Sequence, residues 1–541
     1  MDYDKKQNIH VDIEALDDDL SLSTQQSAID YFKHENTLAS ALKSRHLGML
    51  TLVGVFGTGL FLSSGATLAT AGPVGMLLGY SFVGLVVGFN QMCITELVCL
   101  MPVTSGYVKH AEHFFDDAWG FMLGWIDVYS NVLPTELSAV AVVMSYWTTA
   151  SPAIFITVFG LVIVAVNGYN IRWYGEIEFF FGCLKIMLVI GLCLTGLIID
   201  LGGVSGVDRI GFRYWKNPGP FAAMYTTGSM GKFAAFFKAI NSIVYAYGGL
   251  QSIVSVLASE AEYPRRTVYR ASRRVFYRSF AMYLCTVFVL TLILPYNDKA
   301  IASPTGNAAG SPFVIAIKRA GIPVLPHIIN AIVLTSALSA SNLQVAKASR
   351  TLFALASKKQ APKIFLTVNK HKLPYVGVIF SCAFIPLAYM SISSSSSTVF
   401  SWFQNLTSSS ILLNWIAIAL NHIFMMRAMN AQGYTRDKLP YTFKLAVFGS
   451  WFSLLFSVIF LLIGGFPVFI KGHFSIAGLF SAYFIIPLAA ILYLFWKFLK
   501  KTEIKNPKDV DLKNLFQDAL DKPEPPFPKK TGWDYLKLIW D

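Results

Sequence analysis

The chain has 541 residues, of which 54% are hydrophobic and 14% charged, with a formal net charge of +13 and a mean hydropathy of +0.53. Repeated apolar runs approach or exceed the ~20 residues that cross a bilayer, so the composition excludes a water-soluble protein and describes a polytopic helical membrane protein. The positive balance fits membrane topology rather than nucleic-acid binding; the expected surroundings are a lipid bilayer, with no nucleic-acid partner.

Residues 1–45 are polar and mixed in charge, with Lys5, Lys6 and the run Asp17-Asp18-Asp19. They do not match a cleavable leader and read as a cytoplasmic tail, a place for trafficking or ubiquitination machinery. About twelve apolar segments follow, near 47–70, 74–101, 119–147, 152–169, 174–201, 233–258, 277–296, 324–350, 373–392, 398–426, 443–465 and 474–497. The link after the sixth carries Arg265, Arg266, Arg270, Arg273, Arg274 and Arg278. The link after the eighth carries Lys358, Lys359, Lys363, Lys370 and Lys372, and the exit of the tenth carries Arg427, Arg436 and Lys438. Basic links face the cytoplasm, which puts both termini there. The link 202–232 opposes this weakly, with Arg209, Arg213, Lys216 and Lys232. The triplet Asn405-Leu406-Thr407 resembles a glycosylation acceptor but falls inside the tenth segment, out of reach of modification. Cys93, Cys99, Cys183, Cys193, Cys285 and Cys382 show neither disulfide nor metal spacing and read as small apolar core residues.

Gly48, Gly54, Gly57 and Gly59 crowd the first apolar segment, and each glycine inside a helix costs about 1 kcal/mol relative to alanine. Two readings account for them: close helix packing, or a break near Gly57-Thr58-Gly59 whose freed N–H groups meet an anion such as a carboxylate. The sixth segment repeats the pattern in Tyr245-Ala246-Tyr247-Gly248-Gly249-Leu250-Gln251. Two interrupted helices at corresponding places in two halves point to a transport site at the midplane.

The blocks LKSRHLGMLTLVGVFGTGLFLSSG (42–65), AGPVGMLLGY (71–80), GFMLGWIDVYSNVLPTELSAVAVVMSYW (120–147) and ASEAEYPRRTVYRASRRVFYR (258–278) together resemble the fungal amino-acid permeases of the amino acid–polyamine–organocation superfamily. So do LPYND (294–298), SPFVIAIKRAGIPVLPHIINA (311–331), SASNLQVAKASRTLFALASKKQAPK (339–363) and LPYVGV (373–378). The resemblance covers about residues 42–500. It implies an all-α membrane domain over 46–498. Two inverted five-helix repeats would occupy about 47–201 and 233–427, with helices one and six broken. Two C-terminal helices would follow at about 443–497, then a cytoplasmic tail over 499–541.

The resemblance also implies that Gly57, Thr58 and Gly59 receive a substrate carboxylate. Tyr245, Ala246, Tyr247 and Gly248 would offer unwound carbonyls to an ammonium group, with Tyr247 also as a lid; simple packing is the competing reading for each tyrosine. Gln251 stands where these permeases usually show Glu, so that position cannot carry a proton here. Glu136 and Lys185 are ionisable groups at membrane depth and hence functional candidates, matching residues that relatives use for substrate and proton coupling. For both, a structural ion pair is the alternative. Ser336, Ser339, Asn342 and Asn405 are further pocket candidates. Glu96, Lys347 and Arg350 read as gate or interface charges, and His46, His110 and His113 as surface residues.

No Walker loop, metal-spaced set or nucleophile elbow is present. Neither enzymatic activity nor a metal or cofactor is expected. The expected function is import of amino acids across the plasma membrane, neutral, proline-like or broad in range, driven by a proton gradient. One charge moving through 100 mV supplies about 2.3 kcal/mol, enough for roughly fifty-fold accumulation at 1.4 kcal/mol per decade. The alternatives are a transporter-like amino-acid sensor and, for the substrate, acidic amino acids.

Overall fold

The computed structural model describes residues 56–103, 106–169, 171–251, 263–302, 311–369, 373–521 and 524. The N-terminal tail, Gly48, Gly54, His46, the part of span six beyond Gln251 and the terminal GWDYLKLIWD lie outside the described residues. All the regular elements described are helices. Seven of them are each long and apolar enough to cross a bilayer, and Ile476–Tyr483 with Ile485–Lys500 makes an eighth as a pair bent by 48°. The remaining segments of the expected twelve are there too, but as shared, split or shorter helices.

The shared ones are the first two. A turn of helix, Thr58–Phe61, leads into Ser63–Leu100, which kinks at Gly72 with φ 75° and ψ 174°. That left-handed φ favours glycine, and a Cβ there would also lie 2.5 Å from the Ala222 nitrogen. Pro73 follows, so the helix cannot run through unbroken. The kink is clasped to the link 202–227: Val74 N–H donates to the Pro220 carbonyl (2.9 Å) and Ala222 N–H to the Ala71 carbonyl (3.1 Å).

Span three, expected as one rod, is split into Asp117–Val132 and Thr135–Met144. Leu133 is extended, as a residue before proline prefers, and Pro134 has no N–H to continue the ladder. Span six runs Gly228–Tyr247 and is interrupted at Gly248-Gly249. Span seven begins earlier than expected, at Pro264, and runs to Ile293. Proline suits the first helical position and arginine is a good helix former, so the basic link is helical from there on.

Spans four (Pro152–Tyr169) and five (Ile171–Asp200) and spans eight (Leu325–Ser357), nine (Tyr375–Cys382 plus Ile385–Ile392), ten (Ser396–Ala431) and eleven (Ala446–Ile463) follow the expected order. Asn405 sits within span ten, half-buried, as the sequence implied. Buried polar groups tie spans together where apolar packing between helices has no hydrophobic drive. Asn90, for example, donates to the Trp415 carbonyl (2.8 Å) and to Ser453 Oγ (3.1 Å). The outward faces carry Leu161, Phe180, Met187, Phe448 and Phe469, as a lipid-facing surface would.

Two expectations are corrected. Cys285 is exposed rather than in the core, because it sits on the outer face of span seven. His110 is no surface residue: it is fully buried beneath the link helix Gly106–Phe114, with Nε2 3.0 Å from the Met101 carbonyl. Burial pushes its pKa down to about 4.

Candidate functional site

The start of the helix at Thr58 and the breaks in spans three and six meet. Gly57 is extended (φ −142°, ψ −162°) and helix begins at Thr58. Among the described residues none accepts from the Thr58 or Gly59 N–H, as expected of a helix's first turn. Glu136 is the second residue of the half-helix that follows Pro134, where the helix dipole favours a negative charge. Its Oε2 accepts from Thr58 Oγ1 at 2.9 Å and its Oε1 from the Tyr245 hydroxyl at 2.8 Å. The two hydroxyl oxygens are 3.1 Å apart. Each broken span thus contributes one member to a closed, buried ring of three polar side chains. Hydrogen bonds to an ionised carboxylate are about twice as strong as neutral ones, which lets the charge be held away from water.

Other expected site residues have different surroundings. A Cβ on Gly57 would meet nothing within 4 Å among the described residues, so on their side this glycine faces open space. A Cβ on Gly59 would lie 2.6 Å from the Ala246 Cα, so here the backbones of spans one and six touch. The Ala246 carbonyl accepts the Tyr283 hydroxyl at 2.5 Å. The Tyr245 carbonyl accepts from Gly248 N–H at 3.2 Å. Tyr247 is fully buried, its ring centroid 4.6 Å from that of Tyr283 and 6.0 Å from that of Tyr80. Its hydroxyl donates to the Tyr80 carbonyl at 3.2 Å. The ring is built into an aromatic cluster with Tyr80 and Tyr283. Gly248 is half-buried against Ile411, and Gln251 is buried with no acceptor for its Nε2 among the described residues.

Lys185 on span five donates to Ser339 Oγ on span eight at 2.9 Å; both are buried. Asn342 Oδ1 accepts from Asn167 (2.9 Å), joining spans four and eight, and Asn405 Oδ1 accepts from Asn241 (2.8 Å), joining spans six and ten. Ser336 is fully buried, its hydroxyl without a partner among the described residues.

Sequence reasoning missed several partners. Span ten reaches the break region through Gln404, bonded to Ser63 at 2.9 Å, and Thr407, bonded to Thr135 at 3.0 Å. Glu96 is fully buried and bonded to His422 (2.8 Å), Arg436 (2.7 Å) and the Phe443 N–H (2.7 Å). His422 lay in an apolar run, and an ionisable residue there was a sufficient signal. Asp127 holds Tyr107 (2.9 Å) and Thr351 (2.8 Å). Among the described residues no group of three His, Cys, Asp or Glu is placed to hold a metal.

Comparison with known proteins agrees with this architecture. The family model described as "Amino acid permease" matches residues 46–508. The Saccharomyces cerevisiae dicarboxylic amino acid permease is 38% identical over 503 residues, covering 91% of this chain and 82% of that one. The lysine-specific permease of the same yeast is 35% identical over 459 residues, covering 84% and 74%. Among solved structures, a manganese transporter from Eremococcus coleocola aligns with a TM-score of 0.53 at 12% identity, covering 90% of this chain and 97% of that one, which bears on the fold alone. The chain belongs to the amino acid permease family.

Proposed function

We propose that the protein is a proton-coupled importer of amino acids at the plasma membrane, with both termini in the cytoplasm, working by alternating access. One observation carries the reading: Thr58, Glu136 and Tyr245, from three interrupted spans, close on one another beside the open space at Gly57. The substrate carboxylate takes the N–H groups of the first turn at Thr58 and Gly59, with Gly57 leaving room for it. The ammonium group is drawn to Glu136, whose hydroxyl partners rotate to follow it. Lys185, buried at membrane depth and held by Ser339, carries or relays the coupled proton. The process needs no cofactor and forms no covalent bond; the proton gradient drives it.

The substrate we favour is a neutral amino acid, because Gln251 adds no charge to span six and the zwitterion is matched by one carboxylate and one helix terminus. An acidic amino acid is the second reading, favoured by the relative named for dicarboxylic substrates; the relative named for lysine pulls the other way. The test is uptake of labelled amino acids, singly and in competition, by a permease-deficient cell expressing the chain at two pH values. Uptake faster at acid pH and abolished by a protonophore is the expected result. Uptake indifferent to both would reject proton coupling, and no uptake of any amino acid would reject transport.

A further inference from the structure

The segment after the last span is bound to the bundle rather than trailing from it. Lys505 N–H donates to the Phe115 carbonyl at 2.8 Å, and His113 Nε2 lies 3.1 Å from the Asp511 carbonyl. Gln432, just beyond span ten, donates to the carbonyls of Pro507 (3.0 Å) and Val510 (2.7 Å). Val510 and Leu512 are buried in an apolar cluster with Leu97, Phe114, Met425 and Met429. The helix Lys513–Asp521 then crosses to the start of span seven. There Asp518 pairs with Arg265 at 2.6 Å. Glu524 accepts from the Arg265 N–H (2.9 Å) and the Arg266 N–H (2.6 Å), capping the first turn of that helix.

These two sets of contacts reach different spans. Phe115 leads into span three and Gln432 leaves span ten, while Arg265 and Arg266 open the helix that follows span six, where Arg265 Nε also donates to the Cys99 carbonyl at the end of span two (3.1 Å). Opening the site between spans one, three and six towards this face moves span six and its continuation away from span three. We propose that residues 505–521 together with Glu524 are a strap that holds this side shut and must release from Arg265 and Arg266 before the site opens to it. The inference rests on the transport reading above. Leu512 is fully buried at one end, whereas the other end holds by the Glu524 cap and by a pair in which Asp518 is 41% exposed and Arg265 6%, so the strap lets go at the arginines first. On release Asp518 passes to water and Arg265 keeps the Cys99 carbonyl (3.1 Å), so no buried charge is left without a partner.

The test uses the full chain in proteoliposomes. Asp518→Asn with Glu524→Gln weakens only the releasing end and is expected to raise the initial uptake rate about threefold, the effect of losing roughly 0.6 kcal/mol. Substrate KM is expected to stay within about twofold, since the site residues are untouched. A double variant no faster than the parent would overturn the strap. Hydrogen exchange supplies a readout independent of transport. Amides of 265–270 and 513–521 are expected to exchange faster in Asp518→Asn with Glu524→Gln, and unchanged exchange overturns the strap. A parent protein inert towards all amino acids counts against the transport reading, and the exchange result then decides the strap alone.

Discussion

Replacing Glu136 by Gln is the most informative single change. The carboxylate accepts two hydroxyls at 2.8 and 2.9 Å while buried. The amide has the same shape, and its oxygen keeps one hydroxyl donor. Its NH2 needs the other hydroxyl as an acceptor, and the 3.1 Å contact between Thr58 and Tyr245 shows that these hydroxyls can reorient. The fold therefore loses little, and removing a buried charge can even stabilise it. A substrate ammonium, by contrast, loses a charge-assisted hydrogen bond, worth about 1.5–3 kcal/mol. At about 1.4 kcal/mol per decade this is a fall in uptake of roughly 10- to 100-fold. The assay is initial-rate uptake at two pH values, beside surface abundance and the melting temperature of the purified protein. Near-parental uptake with an unchanged pH profile, in a variant that reaches the surface normally, would refute the assignment of Glu136 to the site.

Tyr245→Phe leaves Glu136 Oε1 without its donor, a loss of about 1–3 kcal/mol for a buried acceptor; both melting temperature and uptake are expected to fall, unlike in Glu136→Gln. Gly57→Ala and Gly59→Ala are expected to diverge. The first projects into open space and impairs uptake of a stable protein, whereas the second drives a Cβ into the Ala246 backbone and lowers the melting temperature; equal thermal stability of the two would contradict this packing. Lys185→Met is expected to preserve exchange of substrate across vesicles but to abolish uphill accumulation, and accumulation at the parental level would remove Lys185 from coupling. His110 is neutral in the fold because burial lowers its pKa from 6.5 to about 4. Its contribution is therefore complete above about pH 6.5 and is lost as pH falls towards 4, at most about 3 kcal/mol for a shift of this size. Melting of the purified protein at pH 7.5 and pH 5 should show the fall, and His110→Gln should flatten it.

Periodicity and length made the spans legible, because a bilayer demands about 20 apolar residues whatever they pack against. The glycines marked the helix start at Thr58, after extended Gly57, and the start of the break in span six. Pro134 carried the same information for span three, yet a 29-residue apolar run masked it. The pairing of Glu136 with Thr58 and Tyr245 spans 78 and 109 positions, and nothing local in the sequence encodes such a meeting. Gly57 and Gly59 look alike in the sequence, two residues apart, and differ only in what stands opposite each. The same limit hid the role of the C-terminal segment: its charges are ordinary until Arg265 and Arg266 are seen beneath them.

Where Gly59 abuts Ala246, main chain rests on main chain with no side chain interposed. Such a joint has no side chain to repack, so any bulk added at Gly59 must move a backbone. Under the transport reading proposed above, selectivity is then to be retuned two residues away, at the flank of Gly57, by protein engineers who leave the joint alone.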